Sequence, residues 1–227
     1  MRAWLCVLTL CVASCKKDSP PPPPAAAPTA LTKAPDDAFW AWVGQHLAEL
    51  KAVRTGQEAV AAQLAVELRK VNPGLAWELG RDASVLELVI SADGKQELFP
   101  VVKALVAKAP PLAGVKVTAF RPRKPATKDI TSDRGTLSVA DLSFAPLEDQ
   151  QKPGLIALVV SVRGLTPENK DVYENMAFAL LEALVGEYDI ETRIGGIEFV
   201  PTEQSPAPGA KPVTELPAFV DGWGQKP

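Results

Sequence analysis

The cysteines of this chain are confined to its first fifteen residues, at positions 6, 11 and 15. No disulfide can therefore cross-link the body of the protein, which must fold around a hydrophobic core. Hydrophobic residues make up 47% of the 227-residue chain and charged residues 22%, proportions typical of a globular protein with a packed interior. The same distribution excludes cysteine-based zinc sites, CxxC redox centres and cysteine nucleophiles from the body.

The first fourteen residues have the pattern of a secretory signal peptide. Arg2 supplies a positive charge, an apolar stretch covers residues 3–13, and Lys16 and Lys17 follow it closely. An apolar run of this length is too short for a transmembrane helix, which needs about 20 residues. We therefore predict a signal peptide over residues 1–14.

The sequence Val12-Ala13-Ser14-Cys15 resembles the lipobox of bacterial lipoproteins. The resemblance implies that a diacylglyceryl group joins the Cys15 thiol, that the precursor is cut before Cys15, and that the new amine is commonly acylated. Two or three acyl chains hold a protein stably at a membrane, because each buried methylene contributes about 0.8 kcal/mol. The expected location is the bacterial cell envelope, with the domain facing the periplasm or the exterior. An ordinary cleaved signal peptide and a buried N-terminal helix remain alternatives.

A proline-rich linker is predicted for residues 15–35, directly after the signal peptide. It contains five consecutive prolines at positions 20–24, followed by AAAPTALTKAP. Such a composition favours extended polyproline geometry, at about 3.1 Å per residue, and forms a semi-rigid spacer. The linker is expected to hold the folded domain away from the bilayer.

The body is predicted as an α+β domain over residues 36–200. Apolar residues recur every three or four positions over residues 36–53 and again over residues 60–71, which predicts N-terminal helices. The following segments have strand and helix patterns in the order strand-strand-helix-strand, which occurs twice. The first set is predicted at residues 75–79, 85–91, 92–109 and 115–121, and the second at residues 137–144, 155–162, 166–185 and 190–200.

The repeated order predicts duplicated, ferredoxin-like ββαβ units that share a mixed β-sheet with helices packed on one face. Residues 155–162 (LIALVVSV) form the most continuous apolar run and are expected to be a central strand. The apolar phase shifts at Asp141, which indicates a bulge. Gly195-Gly196 permits a second bulge.

The C-terminal segment, residues 201–227, is rich in proline. Leu216, Phe219, Val220 and Trp223 recur at steps of three and four. This spacing predicts a short helix that docks on the domain. A peptide offered to a partner is the alternative.

Several segments resemble an uncharacterised bacterial protein family: FWAWVGQHLAEL, LVISADGKQELFPVVKALVAKAPPLAGVKVTAFRPR, and GEYDIETRIGGIEFVP followed by VTELPAFVD. The resemblance covers residue 39 to about residue 220, and its motifs are mainly packing and turn residues. It implies a shared domain to which the leader and the spacer are additions. It implies no activity and no catalytic residues.

One basic cluster is a candidate anion-binding site. Arg121, Arg123 and Lys124 follow a predicted strand, and forked guanidinium groups match carboxylates and phosphates. Asp129 and Asp133 follow closely in the sequence. A salt-bridged surface loop is therefore the alternative.

His46 and the tryptophans have plainer interpretations. His46 is the only histidine and falls in a predicted helix beside core positions. Trp40, Trp42 and Trp77 have the spacing of core residues, and a groove for a sugar or peptide is the alternative. No metal site and no cofactor are predicted.

Two acidic pairs are candidates for acid-base chemistry, which needs two carboxylates in unlike environments. These pairs, Glu148-Asp149 and Glu187-Asp189, fall in predicted loops and helix ends, so we expect them to be solvated. The HExxH, GxSxG, P-loop and GxGxxG motifs do not occur.

The net charge of −3 argues against a nucleic-acid partner, because such proteins usually carry a clustered basic excess. The tether and the missing catalytic motifs favour a lipid-anchored, noncatalytic module that binds a protein or another envelope component. Two alternatives stay open. One is an envelope hydrolase that uses carboxylates near residues 121–149, and the other is a small-ligand-binding lipoprotein with a pocket between the sheet and the N-terminal helices.

The lipid anchor predicts the behaviour of one substitution. Cys15→Ser removes the thiol that would carry the diacylglyceryl group, so we expect the protein to leave the membrane fraction or to remain an uncut precursor. Cell fractionation and mass spectrometry of the N-terminus measure both. Cys11→Ser, which removes a thiol outside the lipobox, is the control. Unchanged fractionation and precursor size in Cys15→Ser would contradict the anchor.

Overall fold

The computed structural model describes residues 34–82, 85–124, 128–204 and 209–224. The predicted signal peptide, Cys15 and all of the linker except its last two residues lie outside the described residues. Among the residues that are described, no helix combines the length and apolar character needed to cross a membrane.

Three helices open the described chain: α1 (Pro35–Gln45), α2 (Leu47–Ala52) and α3 (Ala59–Val71). The single helix predicted over residues 36–53 is wrong at His46, whose φ of −102° and ψ of 16° separate α1 from α2. The His46 ring stacks on Trp42, with ring centroids 4.3 Å apart. The second helix agrees with its prediction.

The first strand-strand-helix-strand set follows α3 and consists of β1 (Ala76–Asp82), β2 (Val85–Ser91), α4 (Phe99–Ala107) and β3 (Val115–Ala119). β2 pairs antiparallel with β1 and parallel with β3, so β1 and β3 are the sheet edges. α4 begins later than predicted because Asp93 and Gly94 adopt positive φ and residues 96–98 form a 3₁₀ turn. Pro100 lies in the first turn of α4, as predicted.

A hairpin and a capped turn connect the two sets. The strands here are β4 (Ile130–Ser132), β5 (Gly135–Leu137) and β6 (Leu142–Glu148). The bulged strand predicted over residues 137–144 is wrong. Asp141 Oδ2 instead accepts hydrogen bonds from the Ser138 backbone N–H (3.0 Å) and hydroxyl (2.8 Å), and a 3₁₀ turn separates β5 from β6. The polar residue that shifts the apolar phase is therefore a cap.

The second set continues from β6 with β7 (Ile156–Val162), α5 (Lys170–Val185), α6 (Glu187–Arg193) and β8 (Ile194–Pro201). Two short elements, β9 (Lys211–Pro212) and α7 (Leu216–Gly222), end the described chain. The strand order is β8-β7-β6-β9, with β7 antiparallel to β6 and parallel to β8. The central position predicted for the LIALVVSV segment is confirmed.

Two boundaries in this set differ from the prediction. The helix expected from Thr166 starts at Lys170, because the Asn169 amide accepts from the Thr166 N–H (2.8 Å) and donates to the Gly164 carbonyl (2.9 Å), which forms a turn first. The strand predicted over residues 190–200 begins only at Ile194, since the preceding residues belong to α6. Gly186 ends α5, as expected.

The α+β fold class is confirmed, and both units have the ββαβ order. Their strands nevertheless form separate sheets, so the single mixed sheet is not found and the ferredoxin-like detail is not confirmed. Each unit also has its own core: the first is drawn from residues 39–120 and the second from residues 130–223. Val213, Leu216 and Val220 at the C-terminal end are fully buried in the second core.

The bulge in β8 brings the backbone close to neighbouring side chains, and this contact can be tested by substitution. Ile156 pairs with Ile194 and Ala157 with Gly196, so Gly195 is the bulged residue. A Cβ at Gly195 would lie 2.9 Å from Asp149 Cγ and 3.2 Å from Leu155 Cβ. Asp149 cannot easily move, because its Oδ1 already accepts from the Gln151 and Lys152 backbone N–H groups.

We therefore expect Gly195→Ala to lower the free energy of unfolding by about 1–3 kcal/mol, as overpacking does. Gly196→Ala is the matched control, since its nearest neighbour would lie 3.9 Å away. Urea denaturation of both variants measures the difference. Equal stabilities would contradict the close contact at Gly195.

Candidate functional site

A buried carboxylate joins the two units. Glu187, the first residue of α6, is fully buried. Its Oε1 accepts from the backbone N–H groups of Ala92 (2.9 Å) and Gly94 (3.4 Å), and its Oε2 accepts from that of Arg121 (2.9 Å). A buried carboxylate is tolerated when such charge-assisted hydrogen bonds replace water. The prediction of a solvated Glu187 is therefore wrong.

Arg121, the first residue of the predicted anion site, lies directly beside this junction. Phe120 has a φ of 66°, and this positive φ turns the chain out of β3. The Arg121 guanidinium then donates to Glu78 (2.6 Å), Asp93 (3.1 Å) and Glu182 (3.1 Å). The guanidinium lowers the pKa of the Asp93 carboxyl. Three carboxylates thus surround one cation that was expected to bind an exogenous anion.

The other two predicted cations have internal partners as well. Arg123 donates to the Asp189 carboxylate (2.6 Å), to Asp221 (2.8 Å) and to the Val185 carbonyl oxygen (2.8 Å). Arg123 also lowers the pKa of Asp221. Lys124 Nζ lies 3.5 Å from Glu78 Oε2. The structure thus brings the three predicted residues to one junction, where carboxylates of the chain itself pair with them.

The residues of the acidic pair Glu148-Asp149, both expected to be solvated, differ in burial. Glu148 is exposed, whereas the Asp149 side chain is buried and caps the turn after β6. Glu78 and Glu182 line a hollow of about 370 Å³ beside Arg121. Both carboxylates accept from the same guanidinium. Each carboxylate therefore lies beside the same cation, whereas acid-base catalysis by a carboxyl pair needs unlike environments.

A larger hollow lies between the first sheet and the N-terminal helices. It encloses about 510 Å³ and is bounded by the loop after α2 and by β1. Its lining consists of Val53, Arg54, Thr55, Gly56, the strand residues 77–81 and Leu86. We call this opening the arginine hollow, because Arg54 and Arg81 both line it. This is the location that the small-ligand alternative requires.

Arg54 and Arg81 donate to the same backbone oxygens at the end of α2. Arg54 Nη1 lies 3.1 Å from the carbonyl oxygens of both Lys51 and Val53. Arg81 Nη2 donates to the same two oxygens, at 3.3 Å for Val53. Carbonyl groups at the C-terminal end of a helix stabilise a nearby cation. The shared acceptors place the two guanidinium groups next to each other.

The charge balance of the arginine hollow differs from that of the Arg121 junction. None of the described carboxylates lies within ion-pair distance of Arg54 or Arg81. Glu58 belongs to the same loop, but its Oε1 accepts from the backbone N–H groups of Arg54 (2.7 Å) and Thr55 (3.0 Å). These hydrogen bonds hold the pKa of the Glu58 carboxyl at about 2. The hollow therefore presents two cations that form no ion pair with a described carboxylate, and Glu78, which also lines it, is paired with Arg121.

The three tryptophans that were predicted to be core residues differ in burial. Trp40 is buried in the first core, where its indole N–H donates to the Leu105 carbonyl (2.9 Å). Trp42 and Trp77 are partly buried and pack against the same core. Trp77 also lines the arginine hollow.

A third hollow lies at the C-terminal helix and has an aromatic wall. It encloses about 580 Å³ and is lined by Phe219, Trp223, Glu148 and small residues. The rings of Phe219 and Trp223 are 5.5 Å apart, and the Trp223 indole N–H donates to the Gly154 carbonyl (3.1 Å). The C-terminal residues that were predicted to dock thus also form an opening.

The arginine hollow was not predicted from the sequence. Arg54 and Arg81 are 27 positions apart, and neither belongs to a contiguous basic cluster. They come together because the Arg81 side chain of β1 reaches the end of α2 and the loop after it. The contiguous basic cluster at 121–124 gave the stronger sequence signal, but its acidic partners come from distant segments.

Among the described residues, no group of three or more histidine, cysteine, aspartate or glutamate side chains is placed to hold a metal ion. Comparison with known proteins finds no matching family model, no matching curated protein and no matching solved structure.

The Glu191 carboxyl, near Glu187, is expected to make the stability of the protein depend on pH. Burial raises the pKa of its carboxyl, and the charges of Glu182 and Glu187 raise it further, while a hydrogen bond from Gln96 opposes them. A carboxyl whose pKa is raised by folding stabilises the protein below its ordinary pKa. This contribution is lost as the pH rises through the raised value.

We therefore expect Glu191→Gln to raise the urea midpoint at pH 7 and to leave it nearly unchanged at pH 4. Denaturation curves at the two pH values measure this. Glu198→Gln, which changes an exposed residue of β8, is the control and should have no such pH-dependent effect. A Glu191→Gln midpoint that falls at pH 7 would contradict the assignment.

Proposed function

We propose that this chain is a lipid-anchored protein of the bacterial cell envelope whose exported domain is a noncatalytic module that binds an anionic envelope partner. The lipobox-like sequence ending at Cys15 supports the anchor, and the proline-rich spacer supports a domain held off the bilayer. The arginine hollow supports the binding role. It is the feature on which the proposal depends.

The observation that carries the proposal is the pair of neighbouring guanidinium groups at Arg54 and Arg81. Two like charges repel each other, and an anion placed between them replaces that repulsion with attraction. Guanidinium groups also form paired hydrogen bonds with carboxylates and phosphates. Both residues are exposed, so a ligand can reach them from solvent.

A small anionic ligand is the second candidate. The arginine hollow has a volume of about 510 Å³, within the 300–1,000 Å³ typical of small-molecule sites. Trp77, Leu79 and Leu86 supply apolar surface beside the two cations. This candidate differs from the first in the size of the ligand, and both require the same arginines.

Site-specific photocrosslinking in cells tests the proposal. A photoreactive residue in place of Thr55, at the hollow, should capture a partner in the envelope. The double variant Arg54→Gln/Arg81→Gln should reduce this product by about tenfold or more, because removing charged interface contacts typically costs more than 1.4 kcal/mol. Higher salt should weaken capture as well.

Two controls make the result specific. A photoreactive residue at Lys170, which is exposed at the start of α5, should not capture the same partner. Arg163→Gln removes a different exposed arginine, which is paired with Asp141 at 3.4 Å, and should leave capture at Thr55 unchanged. Equal capture with and without Arg54 and Arg81 would overturn the proposal.

A further inference from the structure

We propose that the anionic partner is an extended acidic segment of an envelope protein, which adds to the free edge of β1 as another strand. This inference rests on the proposed function and names the ligand and its mode of binding. It commits to a polypeptide and not to a small anion.

The first observation is that β1 is paired on one side only. In the sheet order β1-β2-β3, no other described strand lies beside β1. Alternate residues of an antiparallel edge strand direct their N–H and C=O groups away from the sheet. Such groups are the template for strand addition by a peptide.

The second observation is that residues of β1 line two hollows. The arginine hollow touches residues 77–81. A smaller hollow of about 190 Å³ touches Ala76 and Trp77 at the start of β1 and is closed by Ala65 and Arg69 of α3. Trp77 lines both hollows, so they adjoin at this residue, and we call the two hollows together the groove along β1.

The third observation is the charge at the two ends of this groove. Arg69 lies at the end where β1 begins, and Arg54 and Arg81 lie at the other. Like the other two, Arg69 has no ion pair with any described carboxylate. A ligand that spans the groove is therefore attracted most strongly if it carries negative charge at both ends.

Strand geometry fixes the spacing of these charges. Residue 76 and residue 81 are about 16 Å apart in an extended strand. Trp77, Leu79 and Arg81 lie on one face of β1, because side chains alternate. A strand added beside β1 would place every second side chain on that face. We infer a segment of about seven residues, with acidic residues at its ends and apolar residues against Trp77 and Leu79.

The two carboxylates near the groove, Glu78 and Glu58, have other hydrogen-bond partners. Glu78 points to the opposite face, where it accepts from Arg121 (2.6 Å). Glu58 is held by the backbone of its own loop. Neither carboxylate therefore forms an ion pair with the arginines along the groove.

A capped heptapeptide provides the test. It carries glutamate at positions one and seven, valine at three and five, and threonine at the positions between. Its binding to the full chain in detergent is measured by isothermal titration calorimetry. We expect binding that weakens about tenfold or more in Arg54→Gln/Arg81→Gln, and no binding when the two glutamates are replaced by lysine. Arg163→Gln is the control variant and should bind as the unchanged chain does.

Backbone methylation separates strand addition from attraction by charge alone. Two further peptides carry N-methyl groups at the odd or at the even inner positions and keep every charge. In a strand added to an edge, only alternate N–H groups face the sheet. One methylated peptide should therefore lose binding and the other should retain it.

The outcomes distinguish this inference from the proposed function. If both methylated peptides bind as well as the parent, the arginines attract anions but the ligand does not add as a strand, and the inference is overturned. It is also overturned if no peptide binds although capture at Thr55 depends on Arg54 and Arg81. If neither peptide binding nor capture depends on these arginines, both proposals fall.

Discussion

The hydrogen bonds of one buried carboxylate hold the two halves of this molecule together. Glu187 accepts from backbone N–H groups at the ends of β2 and β3, and its own N–H donates to the Arg121 carbonyl (3.0 Å). Replacing such a carboxylate leaves buried donors without partners, which typically costs several kcal/mol. Tyr188, the next residue, stacks on Phe99 and packs at a tilt against Phe120 of the first core. The position of α6, and with it the second sheet, depends on these contacts.

Much of the fold follows from local pattern. The apolar periodicity located the N-terminal helices, and the LIALVVSV run located the central strand, because burial on both faces leaves a continuous apolar sequence. The errors have polar causes that periodicity does not reveal, two of them local and one long-range. Asp141 and Asn169 use their side chains to cap turns, and Glu187 begins a helix whose buried carboxylate has partners almost a hundred residues away. The separation into two sheets also depends on long-range pairing.

The environments of the charged side chains were harder to predict, because the sequence does not show which distant residue will pair with a charge. Arg121, Arg123 and Lys124 are adjacent in sequence, and the fold surrounds them with Glu78, Glu182, Asp189 and Asp221. Arg54 and Arg81 are far apart in sequence, and the fold leaves them facing one opening with backbone acceptors. Arginine side chains thus form ion pairs at the Arg121 junction and present charge to solvent at the arginine hollow. The difference is set by which distant carboxylates the topology brings near.

The division into two cores has a consequence for synthesis, which runs from the N-terminus. All residues of the first core precede residue 121, whereas the second core is not complete until Val220 arrives. During synthesis, N-terminal units generally fold first. The first unit can bury its apolar surface while the second is still being made. The arginine-lined edge of β1 can thus form before the last strand has left the ribosome.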